Sequence, residues 1–235
     1  MRSKIAFAEI RGTVHRLENV PCQDKTAFIK DDNYTCIALA DGAGSRVHSH
    51  IGAKIAVDTI CDYFKNNQSI EAFDKKELLD LIVKKLMDNS CSFYELSSTL
   101  IFVFISNDEA IIGHLGDGFA FGIFDNDIEV LSYPENGEEK NITYFTTDNN
   151  ALDHLRTKRL KVEDAMGFLL TSDGGGDCLY SNSDNEPANA IKIFNGWLKE
   201  NDEQLVCRAL ESNLIEIAPG LTHDDVSVIE LYLTP

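Results

Sequence analysis

The chain has 235 residues, a formal net charge of −18, 43% apolar and 26% charged side chains. That much apolar material over that length supports a core and excludes long disordered stretches. The acidic balance, with no extended Lys/Arg-rich run, argues against a nucleic-acid partner, and part of it is ordinary surface charge. No apolar run approaches the ~18–20 residues needed to cross a bilayer, and MRSKIAFAEIRG lacks the apolar segment of a secretion signal, so a cytoplasmic protein without a membrane partner is expected. Cys22, Cys36, Cys61, Cys91, Cys178 and Cys207 form no CxxC pair or zinc-ligand spacing and are expected as free thiols.

In chain order, IAFAEI, KTAFIK and YTCIALA read as three short strands. A helix is predicted from about Ile51 to Phe64, with Ile51, Ile55, Val57, Ile60, Cys61 and Phe64 near one face, and Ala53 and Ala56 allow close approach to a sheet. A second helix runs from about Lys75 to Tyr94. STLIFVFIS, EAIIGHLG, FAFGIFD and IEVLS follow as strands with short turns, the pattern of an antiparallel meander. Residues 133–141 read as a polar surface loop, ITYFTT as a strand, and residues 147–165 carry no clear pattern. MGFLLTS is a strand, Ala188–Lys199 and Asp202–Leu214 are helices, and DVSVIELYL is the last strand. Strand runs separated by paired helices predict an α+β domain spanning residues 1–235, with two mainly antiparallel sheets face to face and helices outside.

The chemistry lies in aspartates. Asp24 in CQDK, Asp41 in ALADGAGS, Asp173 in LLTSDGGGD and Asp224 in LTHDDVSVIEL each stand where a predicted strand meets a turn. Carboxylates delivered by strand ends to one sheet edge make a hard, oxygen-only site suited to Mg²⁺ or Mn²⁺. Taken singly, each Asp-Gly is also an ordinary turn, Gly174–Gly176 also a flexible loop, and Asp117 in GHLGDGFAFG also a hairpin turn.

CQD, ALADGAGS, SSTLIFVFIS, GHLGDGFAFG, LLTSDGGGD and DDVSVIEL, in this order, resemble the metal-dependent type 2C protein serine/threonine phosphatase family, its bacterial branch above all. The likeness covers nearly the whole chain. It implies a four-layer αββα sandwich with two Mn²⁺ or Mg²⁺ ions in a cleft at one end of the sheets. Carried over, Asp41 bridges both ions, the Gly42 carbonyl contacts one, Asp173 and Asp224 complete the other's protein ligands, and Asp24 acts through water. Asp117 and Asp173 match the pair that holds a weaker third ion in bacterial members. Two cations about 3.5–4 Å apart activate water for in-line attack on phosphorus, with no protein nucleophile. The implied substrate is a phosphorylated protein, the product of a Ser/Thr kinase, and a monomer is expected.

Three positions depart from the pattern. Ala43 stands where eukaryotic members carry His in DGHGG, a proton donor to the leaving group, and general acid catalysis is commonly worth about 10²–10⁴-fold. Candidates to take over are metal-bound water, His48 and His50, unless the histidines cap the next helix or face solvent. Where members place a phosphate-binding Arg in GxxR, this chain has Gly12-Thr13-Val14-His15, so His15 is the positional match, with Arg16 beside it and Arg11 close by. Histidine lacks the bidentate fork of arginine. Asp225 takes the slot of the usual Asn: a carboxylate that adds charge to the site, or one that points away. The alternatives these departures raise are a catalytically weak pseudophosphatase acting as a regulatory binding module, and a hydrolase of a small phosphoester.

Overall fold

A computed structural model describes residues 2–124, 127–136, 143–162 and 165–234. The elements are β1 (Arg2–Ile10), α1 (Thr13–Glu18), β2 (Lys25–Lys30), β3 (Tyr34–Ala40), α2 (Ser49–Asn66), α3 (Lys75–Met87), β4 (Leu100–Ser106), β5 (Glu109–Leu115), β6 (Phe119–Phe124) and β7 (Asp127–Ser132). There follow α4 (Ala151–His154), β8 (Arg156–Lys161), β9 (Ala165–Thr171), α5 (Asp173–Leu179), β10 (Tyr180–Ser181), β11 (Glu186–Pro187), α6 (Ala190–Glu200), α7 (Glu203–Ile217) and β12 (Val226–Thr234).

The long strands form two five-stranded antiparallel sheets, ordered β1-β12-β9-β6-β7 and β2-β3-β4-β5-β8. Between them lies one apolar layer, in which Ile37, Leu39, Ile101, Val103 and Ile112 meet Ile5, Phe168, Leu170, Ile229 and Leu231. On its outer face the second sheet carries α2 and α3, through Ile60, Phe64, Leu78 and Ile82. The first sheet carries α6 and α7, through Ile191, Phe194, Leu198, Val206 and Leu210. This is the αββα sandwich. Both faces of β3 and β4 are covered, so every residue of each is buried.

Small residues set how closely α2 approaches. Cys36, Ala38 and Ala40 point from β3 toward Ala53 and Ala56, and a Cβ on Gly52 would stand 1.8 Å from the Leu96 carbonyl oxygen. The face of α2 is rotated slightly from expectation: Gly52, Ala53, Ala56, Val57, Ile60, Tyr63 and Phe64 are buried, while Ile51, Ile55 and Cys61 are half-buried.

Several expectations need correcting. The helix starting at Lys75, capped by the Asp74 carboxylate on the Lys76 and Glu77 amides, stops at Met87 rather than Tyr94. Beyond it the Asn89 side chain takes the Cys91 amide at 2.9 Å, a local bond that competes with helix continuation. The four strands of the expected meander do not share a sheet: β4–β5 is a hairpin in one, β6–β7 a hairpin in the other. The crossing occurs at Gly116-Asp117-Gly118, where Gly116 takes φ +115°.

ITYFTT is not a strand where it is described. Thr143 makes a single bridge to Asn136, and Thr146 donates its amide to Ser98. Residues 147–165, without pattern in the sequence, contain α4 and β8. The latter, RTKRLK, is a basic edge strand, and such charge discourages edge-to-edge pairing. All six cysteines are free, as expected. No helix among the described residues is long and apolar enough to cross a membrane.

Candidate active site

β2 and β3 bring Asp24 and Asp41 to one end of their sheet, and β9 and β12 bring Asp173 and Asp224 to the same end of the other. Asp117 sits on the crossover between the sheets. Asp41 is fixed by its neighbour strand: its amide donates to Thr99 Oγ1 at 3.0 Å, and its carbonyl accepts the Thr99 amide at 2.8 Å. The zipper continues through a Gly42–Ser98 bridge and a 3.0 Å bond from the Ala43 amide to the Ser97 carbonyl. Gly42 abuts the start of α2, where a Cβ would lie 2.8 Å from Ser49.

Asp24 is fully buried, and neither of its oxygens meets a donor in hydrogen-bonding geometry. Lys25 Nζ closes the preceding turn on the Cys22 and Asp24 carbonyls at 2.9 and 2.6 Å. Asp173 opens α5 and accepts the Gly174 amide at 2.5 Å. The three glycines form helix, not a flexible loop. They are there for closeness: an added Cβ would meet the Asp225 carbonyl oxygen at 2.2 Å from Gly174, Thr171 Oγ1 at 1.8 Å from Gly175, and the Phe119 ring at 2.8 Å from Gly176.

The carboxylates feel one another. Burial, then the charges of Asp24, Asp173 and Asp117, hold Asp41 well above the usual carboxylate range. Burial, then Asp225 and Asp173, push Asp24 up, with Asp41 and Ser172 near enough to offset part of the rise. Asp173 is raised by burial, Asp117 and Asp224. Asp117 is raised by burial against its own backbone amide, with Asp224 adding to the rise. Asp24, Asp41, Asp117, Asp173 and Asp224 therefore form one electrostatically linked cluster.

Mutual repulsion of buried anions is relieved by protons or by a cation. Donors that are all oxygen, with two orphaned on Asp24, fit a hard divalent ion. Among the described residues no group of three or more His, Cys, Asp or Glu side chains is placed to hold a metal ion as it stands. Beside the cluster, Asp117, Asp173, Phe119, Pro134, Gly176 and Asn182 line an open cleft of about 380 Å³.

The remaining sequence candidates divide. His15 is buried on α1, its Nδ1 3.0 Å from Asp225 Oδ2 along a bent approach. Arg16 is exposed and shares a small pocket with Arg11 and Asp224. Asp225 does not point away: only 2% exposed, it accepts the Gly12 and Gln23 amides, each at 2.6 Å. His48 occupies the N-cap position of α2 without a side-chain cap bond. His50 is half-buried, its pKa lowered by burial and by Lys25 and His48.

Thr99 and Gln23 lie within SSTLIFVFIS and CQD, but neither is singled out there as a functional residue. A polar SST run before an apolar strand is the only signal Thr99 offers.

An αββα sandwich with a carboxylate cluster at one end of paired sheets fits the class of metal-dependent hydrolases of phosphoric monoesters. Comparison with known proteins narrows it. A family model described as Protein phosphatase 2C matches residues 11–214, and the chain belongs to that family of phosphoprotein phosphatases. It is 27% identical over 233 residues to "Serine/threonine-protein phosphatase 3" of Escherichia coli (strain K12), covering 87% of each chain. Among solved structures, serine/threonine phosphatase Stp1 from Staphylococcus aureus superposes with a TM-score of 0.70 at 17% identity, covering 100% of this chain and 96% of that one. The catalytic domain of the serine/threonine phosphatase PstP, in complex with two manganese ions, superposes at 0.67 and 16% identity, covering 99% of each. At those identities the structures speak for the fold.

Proposed function

We propose that residues 1–235 form a single Mn²⁺- or Mg²⁺-dependent domain that removes phosphate from phosphoserine and phosphothreonine in proteins. It would act as a monomer opposite a Ser/Thr kinase. The observation that carries this reading is the mutually repelling cluster Asp24–Asp41–Asp173, in which Asp24 is fully buried, Asp41 and Asp173 are half-buried, and neither Asp24 oxygen makes a hydrogen bond of good geometry. The PstP complex with two manganese ions supports it by likeness of fold.

Asp41, the Gly42 carbonyl, Asp173 and Asp224 would hold two divalent ions, Asp24 would act through water, and Asp117 with Asp173 offers a place for a third. When bound, such ions activate water and offset phosphoryl charge. The chain's own residues do the rest. Thr99 holds Asp41 at the strand end, beside the fully buried Asp24. Of the two residues expected to grip phosphate, Arg16 is exposed near Asp224, whereas the Nδ1 of His15 is turned to Asp225. Buried carboxylates without a counter-charge are costly to keep, and their number here speaks against a binding module that has abandoned catalysis.

The deciding experiment is hydrolysis of a phosphoserine/phosphothreonine peptide panel with Mn²⁺, with Mg²⁺ and with EDTA, using Asp41→Asn as control. Metal-dependent release of phosphate, abolished in the variant, is expected. No turnover with any metal would overturn the reading.

A further inference from the structure

Asp225 is one of the three departures from the family pattern, and it stands where three carboxylate-bearing segments meet. Its Oδ1 accepts the Gly12 amide and its Oδ2 the Gln23 amide, both at 2.6 Å. Gln23 directly precedes Asp24, and Asp225 directly follows Asp224, whose Oδ1 takes the Asp225 amide at 2.8 Å. The Asp225 carbonyl oxygen would lie 2.2 Å from a Cβ on Gly174, the residue after Asp173. A fourth contact comes from α1: His15 Nδ1 lies 3.0 Å from Asp225 Oδ2, on a bent approach outside hydrogen-bonding geometry.

The surrounding backbone leaves little room for adjustment. A Cβ on Gly12 would stand 2.4 Å from the Asp224 carbonyl carbon and 2.6 Å from the His223 oxygen. Thr13 Oγ1 also bonds His223 Nδ1 at 3.1 Å. The N-terminal stretch from Gly12 to Asp24 is thus docked on the turn 223–225, with the Asp225 carboxylate at the centre of the joint. Asparagine, usual in this slot, has one acceptor oxygen and an amide that would face a second N–H donor. It could not hold both amides.

We propose that Asp225, steadied by His15, is the positioning residue that sets the spacing of Asp24, Asp173 and Asp224 and so governs divalent-cation affinity. The proposal rests on the metal-dependent reading above. Residues that orient metal ligands without touching the ion commonly change affinity by ~10–100-fold when removed. In this assignment His15 acts through its Nδ1 edge and touches no phosphate.

Two histidine variants separate the alternatives. His15→Asn places an amide N–H where Nδ1 stood, and His15→Gln places one where Nε2 stood. Mn²⁺ affinity is measured by calorimetry on the full chain, with metal-free melting temperatures recorded alongside. Asp225→Asn is expected to weaken Mn²⁺ binding by ~10–100-fold and to shrink the Mn²⁺-induced rise in melting temperature. A purely structural residue would lower the metal-free melting temperature and leave that rise intact. His15→Asn should bind Mn²⁺ within about threefold of wild type, and His15→Gln should weaken it as Asp225→Asn does.

Wild-type affinity in Asp225→Asn, or retention in His15→Gln with loss in His15→Asn, overturns the proposal. If Asp225→Asn does not fold, the histidine pair decides alone. If the wild-type chain binds no Mn²⁺, the metal-dependent function falls and this inference with it.

Discussion

Asp41 and Thr99 clasp each other twice, the Asp41 amide on Thr99 Oγ1 at 3.0 Å and the Thr99 amide on the Asp41 carbonyl at 2.8 Å. One bond belongs to the backbone and survives any substitution at 99 except proline. The other depends on a single hydroxyl. Thr99→Val keeps the shape and leaves the Asp41 amide without its acceptor, a loss of about 1–3 kcal/mol. Small displacements of a catalytic group can cost ~10²-fold in rate, so phosphatase activity should fall by more than the stability loss alone explains. Thr99→Ser should restore both. Urea denaturation and phosphopeptide turnover on the three proteins check this, and equal activity in Val and Ser variants would refute it.

Removing one repelling carboxylate should separate stability from activity. Asp173 is raised by burial, Asp117 and Asp224, so its ionised form is disfavoured in the metal-free fold. Asp173→Asn keeps an oxygen for the Gly174 amide and removes the charge. The metal-free melting temperature at pH 8 should rise, the Mn²⁺-induced stabilisation should shrink, and turnover should drop by roughly 10²-fold or more. A variant less stable than wild type without metal would count against the repulsion described here.

A fifth raised carboxyl lies outside this cluster. Glu230 on β12 is fully buried; Asn195 Nδ2 donates to its Oε1 at 2.9 Å, and its Oε2 has no partner. Burial pushes its pKa from 4.5 up to about 8, against the pull of the Asn195 bond. Between those values the folded chain holds a proton that the unfolded chain has released. Stability is therefore lost as pH rises through this window and is fully present only below it. Glu230→Gln should melt higher than wild type at pH 8–9, with the difference shrinking toward pH 5. Parallel pH profiles for the two proteins would refute the assignment.

Glycines of two kinds can be told apart by adding a methyl group. Gly175→Ala drives a Cβ to 1.8 Å from Thr171 Oγ1 and 2.9 Å from the Ser227 carbonyl oxygen. Overpacking of this sort costs about 1–3 kcal/mol or more, and here it would also displace Asp173. Gly196, inside α6, would have nothing within 4 Å of an added methyl, so Gly196→Ala should stabilise by about 0.5–1 kcal/mol. Chemical denaturation of both variants gives the sign directly.

Much of the site can be read from the chain alone, because Asp24, Asp41, Asp173 and Asp224 each border a strand whose apolar run is visible by eye. In the fold the charges of these carboxylates act on one another. What stays hidden depends on partners distant in sequence. Two hairpins joined at Gly116–Gly118 look the same locally whether or not they share a sheet, and only packing of the apolar layer between sheets decides. Gly174–Gly176 reads as a loop because glycine is a poor helix former, yet contact with Asp225 and Thr171 demands its size. ITYFTT has strand composition, but Thr146 commits its amide to Ser98, outside any ladder. Asp225 is ambiguous in the sequence for the same reason: its partners Gly12 and Gln23 lie more than two hundred residues earlier.

The carboxylates come from both halves of the sandwich, Asp24 and Asp41 from one sheet and Asp173 and Asp224 from the other. A cation captured among them would work as a rivet through the two halves. Sliding of one sheet over the other would open or close its grip, so mechanical coupling of the halves and chemical competence would rise and fall together.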